Sequence, residues 1–508
     1  MSESLKNSPP STDPEEHFRT EHLKTDLKGR SVRGGAVTLI AQVCKFVLQI
    51  GSTAILARLL TPQDYGLIGM TVAVTGFVSM FKDMGLSMAT IQKAEINHRQ
   101  ISTLFWVNVG LSLATLLVTA AIAPAVALFY GEPKLTSITI VSAIGFIFGG
   151  LTVQHQALLN RQMRFTALAI IDITSMLVGT IIAIVLAWYG VGYWALVIMQ
   201  LAIALSTTLG VWLVCHWRPS LPALDSGIGE MLTFGGNITG FSIINYFARN
   251  LDNVLIGRFW GAGELGLYSK AYQLLLLPIN QINSPIAAVA IPALSRLVDS
   301  SERYTAAYVR IVEKVALLTI PIMLFMIGSS DWLVLLLLGP QWQEASGIFV
   351  LLGVAGLIQP VANSTGWLFI SQGRSRDMFQ WGLIGGTISI VSFLAGLPWG
   401  AIGVAASYSL LWTYLCLPLL FWFVGRTGPV KTGDFYRVLA PFVTASLLTL
   451  GALLLFRNYV EIFNPVLGCL FTFTITMLIF LSTLAIIPSG RLALQDVKIL
   501  ILERKISS

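Results

Sequence analysis

Long apolar runs separated by short polar gaps dominate the chain. A helix that crosses a bilayer needs about 20 predominantly apolar residues. The sequence holds 14 such runs, over 34–57, 63–88, 101–129, 136–159, 166–188, 192–215, 231–256, 264–293, 308–328, 345–371, 378–396, 401–424, 436–456 and 463–487. The apolar positions are continuous rather than alternating in segments of about ten residues, which argues against a β-barrel. The pattern predicts an all-α polytopic membrane protein with 14 transmembrane helices. Asp331–Trp342 reads either as a loop or as a helix end. Pro124, Pro278, Pro285 and Pro321 fall inside runs, as membrane helices tolerate.

The polar gaps set the orientation. With the N-terminus in the cytoplasm, 25 of the 32 Lys and Arg residues fall in cytoplasmic segments. Only Arg58, Lys134, Arg258 and Arg457 fall outside, while Lys45, Arg249 and Lys270 lie within helices. Excess Lys and Arg on the cytoplasmic side is what correctly placed spans should show. Both termini are therefore expected in the cytoplasm. The polar start, from Met1 to about Lys28, carries no cleavable signal pattern. The outer loops are all short, which counts against enzymes that work through large external loops.

Composition narrows the class further. Of 508 residues, 55% are hydrophobic and 11% charged, against about 25% charged in a typical soluble protein. A soluble enzyme is thereby excluded. The net charge of +7 follows from membrane orientation and implies no nucleic acid partner. Cys44, Cys215, Cys416 and Cys469 lie in apolar runs without pairing or metal spacing, and the five histidines are scattered. With no P-loop and no G-x-S-x-G, neither a cofactor, a metal nor a catalytic residue is expected.

The chain also repeats itself. At an offset of 200, Ile55-Leu56-Ala57-Arg58-Leu59 matches Leu255-Ile256-Gly257-Arg258-Phe259, and Asp64-Tyr65-Gly66-Leu67 matches Glu264-Leu265-Gly266-Leu267. Near 210, Tyr189-Gly190-Val191 matches Trp399-Gly400-Ala401, and a third echo pairs Gly131 with Gly339. This predicts a polar tail (1–32), an N-lobe of six helices (33–217), a linker (218–230) and a C-lobe of six (231–424). A second linker (425–434), two further helices (435–490) and a tail (491–508) complete the chain. Six helices per lobe make the repeat parallel, with a pseudo-twofold axis along the membrane normal.

Polar residues inside the runs are the candidate chemistry. A charge at mid-bilayer costs about 2.5–3.5 kcal/mol on insertion scales, so it faces other helices or a watery space. Gln42, Lys45, Gln49 and Ser52 share one face of the first helix. Ser242, Asn245, Arg249 and Asp252 occupy the same places in the seventh, and Lys270, Gln273, Asn280 and Ser284 line the eighth. Equivalent stripes facing one another predict a central cationic cavity suited to a phosphate or pyrophosphate head group. Its expected lining is Lys45, Gln49, Asn245, Arg249, Asp252, Lys270 and Gln273. Arg249 and Asp252 alternatively pair with each other at i, i+3. Asp172 either carries a coupling proton, as Asp252 could, or serves an interfacial or capping role.

Leu251-Asp252-Asn253-Val254-Leu255-Ile256-Gly257-Arg258-Phe259, continuing to Leu265-Gly266-Leu267-Tyr268-Ser269-Lys270-Ala271-Tyr272, resembles the polysaccharide transporter family. That family holds Wzx-type O-antigen and exopolysaccharide flippases, within the multidrug/oligosaccharidyl-lipid/polysaccharide exporter superfamily. Ala57-Arg58-Leu59-Leu60-Thr61-Pro62-Gln63-Asp64-Tyr65-Gly66, Leu338-Gly339-Pro340-Gln341-Trp342 and Tyr189-Gly190-Val191-Gly192-Tyr193-Trp194-Ala195 are similar to it as well. The resemblance implies two lobes working by alternating access in the bacterial inner membrane. It implies an undecaprenyl-pyrophosphate-linked oligosaccharide as substrate, for lipopolysaccharide O-antigen or exopolysaccharide. Membrane lipids and other polysaccharide assembly proteins are the implied partners. Export of another lipid-linked precursor or a drug-like compound is the alternative, followed by a polysaccharide polymerase or ligase.

Overall fold

The computed structural model describes residues 27–81, 83, 85–93, 95–223, 229–460 and 464–496, with side chains at all of these except 27–33, 229–245 and 247–249. The chain divides into two compact units, Met1–Phe247 and Ala248–Ser508, and no strand occurs among the described residues.

In the first unit, α1 (Leu27–Leu59) is followed by α2 (Pro62–Ser79), α3 (Leu86–Gln92) and α4 (His98–Tyr130). Next come α5 (Lys134–Ala143), α6 (Gly145–Arg161), α7 (Phe165–Trp188), α8 (Trp194–Val214) and the start of α9 (Gly229–Ser295). Local chemistry sets the boundaries. Thr61 and Asp64 form a capping box that starts α2 behind Pro62. The expected span 63–88 is interrupted after Ser79. Gly85 turns left-handed at φ 68°, and the Asp83 carboxylate accepts from the backbone N–H and hydroxyl of Ser87, at 3.0 and 2.6 Å. An acidic cap there starts the separate helix α3 instead. Leu86, Ile101, Leu104, Phe105, Leu158, Leu168, Ile171 and Trp217 join α3, α4, α6 and α7 in one buried cluster.

The second unit holds the rest of α9, then α10 (Ser301–Gly328), α11 (Ser330–Leu337), α12 (Ala345–Ser371) and α13 (Ser375–Gly396). α14 (Gly400–Leu411), α15 (Leu417–Gly425), α16 (Thr432–Tyr459) and α17 (Pro465–Ile486) follow. α9 bends at Gly261, whose φ of 83° and ψ of −177° are not helical. The bend gives it two arms, matching the separately expected runs 231–256 and 264–293. α13 and α14 form a hairpin in which the Ser407 hydroxyl donates to the Ser392 carbonyl at 2.5 Å. α11 and a single 3₁₀ turn over Pro340–Trp342 occupy the stretch that reads ambiguously in sequence. Arg457 anchors it with two bonds to the Asp331 carboxylate, at 2.8 and 2.5 Å. Burial alone would raise the Asp331 carboxyl; the Arg457 guanidinium outweighs it and holds the group below its ordinary value.

Eleven helical stretches among the described residues are long and apolar enough to cross a membrane, against the 14 expected. The run 63–88 is broken as described. The runs 231–256 and 264–293 fall in one bent element, and 378–396 and 401–424 in the single stretch Ser375–Gly425.

A turn recurs in both units at an offset of 210. α6 ends with the Arg164 N–H reaching the Leu159 carbonyl at 3.0 Å, and α12 ends with the Arg374 N–H reaching Phe369 at 2.8 Å. The residue before each arginine is left-handed, Met163 at φ 55° and Gly373 at φ 67°. This is the Schellman way of closing a helix. The Arg164 guanidinium then donates to the Val214 carbonyl, and that of Arg374 to the Val424 carbonyl, both at 3.3 Å. The expected echo of Gly131 with Gly339 is not one turn twice: Gly131 has φ 72° and ψ 21°, Gly339 φ 103° and ψ 173°.

A side chain in the left-handed region costs about 1 kcal/mol relative to glycine, and a Cβ at Gly373 would meet nothing within 4 Å. Gly373→Ala should therefore lower the thermal unfolding midpoint of the purified protein. Met163→Gly should raise it, by the same order of energy.

Candidate functional site

In the first unit, α1 and α7 run side by side in the same direction. Gly34 lies against the Phe165 ring near their starts. Leu56 and Leu60 pack with Ala183 and Ala187 near their ends. Between these contacts, the Lys45 ammonium meets the Asp172 carboxylate at 2.6 Å. The two side chains are 38% and 32% exposed. Fully solvent-exposed ion pairs contribute about 0–1 kcal/mol. An unpaired charge within an apolar helix costs several times that, so desolvation drives these two together. Gln49, one turn along the same face, is half-buried, and its carbonyl accepts from the Ser52 hydroxyl at 3.0 Å.

Asp172 does not cap its helix: Arg164 stands at the N-cap of α7, two turns earlier. The sequence gives Lys45 no partner in its own helix. The one it has comes from a helix 127 positions along the chain, beyond what periodicity can reveal.

In the second unit, Asp252 lies on the first arm of α9 and is 3% exposed. Its carboxylate accepts the Tyr268 hydroxyl from the second arm at 2.9 Å, and the N–H of Asn253 at 2.8 Å. Lys270, 7% exposed, donates to the Gln273 side-chain oxygen at 3.0 Å. Lys270 and Gln273 are thus brought together as expected of one helix face. The side chains of Asn245 and Arg249, and with them the alternative Arg249–Asp252 pairing, lie outside the described residues.

Sequence reading missed a buried polar seam in the first unit. Thr90 donates to the Gln154 side-chain oxygen at 2.9 Å, and Gln154 donates to Asn108 at 2.8 Å. Two turns on, the buried Arg161 guanidinium donates to the carbonyls of Thr90, Ile91 and Lys93, at 3.1, 3.3 and 2.5 Å. It caps the C-terminal end of α3, where a cation complements the helix dipole. The signal in sequence was the spacing of Gln154 and Arg161, seven apart on one helix face. The second unit carries a seam at the same places plus 210, where Tyr308 meets Ser364 at 2.8 Å and Tyr304 meets Ser371 at 2.6 Å.

Apolar helices of this number, with paired charges held inside them, define a multi-pass membrane protein. Residues 55–347 match the family described as "Polysaccharide biosynthesis protein", and the chain belongs to that family. It is 27% identical to the teichuronic acid biosynthesis protein TuaB of Bacillus subtilis (strain 168), over 77% of this chain and 81% of that protein. It is 24% identical to the succinoglycan biosynthesis transport protein ExoT of Rhizobium meliloti (strain 1021), over 82% and 83%. Among solved structures, the lipid II flippase MurJ in an inward closed conformation superposes with a TM-score of 0.71 at 12% identity, covering 90% of this chain and 98% of that one. The fold is therefore MurJ-like, and the family resemblance drawn from sequence holds.

Removing the Tyr268 hydroxyl leaves the buried Asp252 carboxylate one donor short, which costs about 1–3 kcal/mol. Tyr268→Phe should lower the unfolding midpoint in detergent, and adding Asp252→Asn should recover part of the loss.

Proposed function

We propose that the protein is a flippase. In this reading it moves an undecaprenyl-pyrophosphate-linked oligosaccharide from the inner to the outer leaflet of the bacterial inner membrane, for surface polysaccharide assembly. Both termini lie in the cytoplasm, and the two units work by alternating access around a cationic path. The observation that carries the reading is a pair of ammonium groups, Lys45 and Lys270, held within apolar helices of a chain from a polysaccharide biosynthesis family. Groups so expensive to insert are retained where an anion must pass. ExoT, named as a transport protein, supports carriage rather than chemistry.

Lys45, Arg249 and Lys270 are the proposed contacts to the pyrophosphate, with Gln49, Asn245 and Gln273 beside them to meet sugar hydroxyls. Arg249 offers two parallel donors to a phosphate, whereas lysine offers a point charge. Asp252, and with it Asp172, is the proposed site for a coupling ion. A drug-like cation would be repelled by this set.

Deleting the gene should cause the lipid-linked glycan to accumulate on the cytoplasmic leaflet and remove the corresponding surface polysaccharide. Loss of one charged contact to phosphate is worth about 1.5–3 kcal/mol. Lys45→Ala, Arg249→Ala and Lys270→Ala should therefore each reduce display by about ten-fold or more at unchanged protein level. Wild-type display from all three variants would refute the assignment.

A further inference from the structure

The Lys45–Asp172 pair has a feature that a scaffold contact does not need. The turn that recurs at an offset of 210 fixes which residue of the second unit corresponds to Asp172. Met163, Arg164 and Val214 correspond to Gly373, Arg374 and Val424, so Asp172 corresponds to Gly382. At the offset of 200 that joins the first and seventh helices, Lys45 corresponds to Asn245. Neither corresponding position carries a charge. A Cβ at Gly382 would meet nothing within 4 Å, so sterics do not forbid a side chain there.

Position along the helix sharpens the point. Asp172 lies seven residues after Phe165, the first residue of α7, which is about 10 Å at the helical rise of 1.5 Å per residue. Trp188, the last residue, is about 24 Å beyond it. A pair so placed in an apolar helix faces other helices or a watery space. The Lys45 and Asp172 side chains stay 38% and 32% accessible. The ammonium has three donors and the bond to Asp172 uses one of them. The other two donors can meet a second acceptor.

We propose that Asp172 is an exchangeable counter-ion: it holds Lys45 in place while no substrate is bound, and an entering phosphate-bearing head group displaces it. This rests on the flippase reading and adds the device by which the site is kept ready and then emptied. With the carboxylate present, the ammonium is pre-positioned and its charge is compensated inside the bilayer. A pyrophosphate brings more acceptors and more negative charge than one carboxylate, so it wins the ammonium. After release, the tethered carboxylate recaptures Lys45 at high effective concentration and opposes rebinding. Asp172 is thus a positioning residue that weakens anion binding to speed release.

The test uses inorganic pyrophosphate as the probe, titrated by calorimetry into the purified full-length protein. Asp172→Asn should bind it about five-fold more tightly than wild type, the scale set by removing one half-exposed competing carboxylate. Asp172→Glu should stay within about two-fold of wild type, and Lys45→Ala should bind equally weakly with or without Asp172→Asn. Binding by Asp172→Asn that is equal to or weaker than wild type, in protein with an unchanged unfolding midpoint, overturns the proposal. So does binding by neither protein. A purely structural pair predicts weaker binding on breaking it, the opposite sign. If gene deletion accumulates glycan but Asp172→Asn does not tighten binding, only the counter-ion role fails. If Asp172→Asn tightens binding but deletion accumulates no lipid-linked glycan, the substrate reading fails and the anion site stands.

Discussion

An ionised group inside an apolar helix must find a partner or water, because the bilayer interior offers neither. That requirement accounts for several of the contacts that join distant parts of the chain. Lys45 reaches Asp172 on another helix. Arg161 spends its guanidinium on three carbonyls at the end of α3. Asp252 in the second unit takes a tyrosine hydroxyl from the opposite arm of its own bent element. Each partnership joins helices whose apolar faces alone would permit sliding or rotation. Between apolar helices in lipid the hydrophobic effect gives little guidance, so these polar contacts set which residues face one another.

The repeated turns divide the labour differently. The left-handed residue, the N–H returning to the carbonyl five residues back, and the arginine reaching a further carbonyl occur alike at 159–164 and 369–374. These are backbone solutions to ending one helix and starting another, and they tolerate methionine in one unit and glycine in the other. The buried seams at Gln154 and Arg161, and at Ser364 and Ser371, share positions but not chemistry. The backbone plan is therefore common to both units, while the side chains on it are free to differ.

That split explains what could be read from sequence. Apolar runs and breakers are local, so the segments holding helices, the hairpin at Gly400 and the bend between 256 and 264 were legible to within a few residues. The interruption after Ser79 was legible only in part: Lys82 and Asp83 read as a helix end, but they and Gly85 sit inside a run whose average hydropathy hides the break. The stripe on α1 followed from periodicity, and Lys270 beside Gln273 followed from adjacency on one helix. The partner of Lys45 did not follow. Choosing Asp172 among the acids requires knowing that α1 and α7 pack in parallel, which only tertiary structure supplies. The link from Asp252 to Tyr268 was hidden for the same reason, since it depends on the bend at Gly261.

The difference between the units is then informative. The position corresponding to Asp172 in the second unit is Gly382, where a Cβ would meet nothing within 4 Å. Leu56 and Leu60 against Ala183 and Ala187 already supply apolar packing between α1 and α7. A charge pair placed where charge is costly, partly accessible and beside apolar packing that already joins the two helices, invites a role beyond holding them together. Exchange with a passing anion provides one.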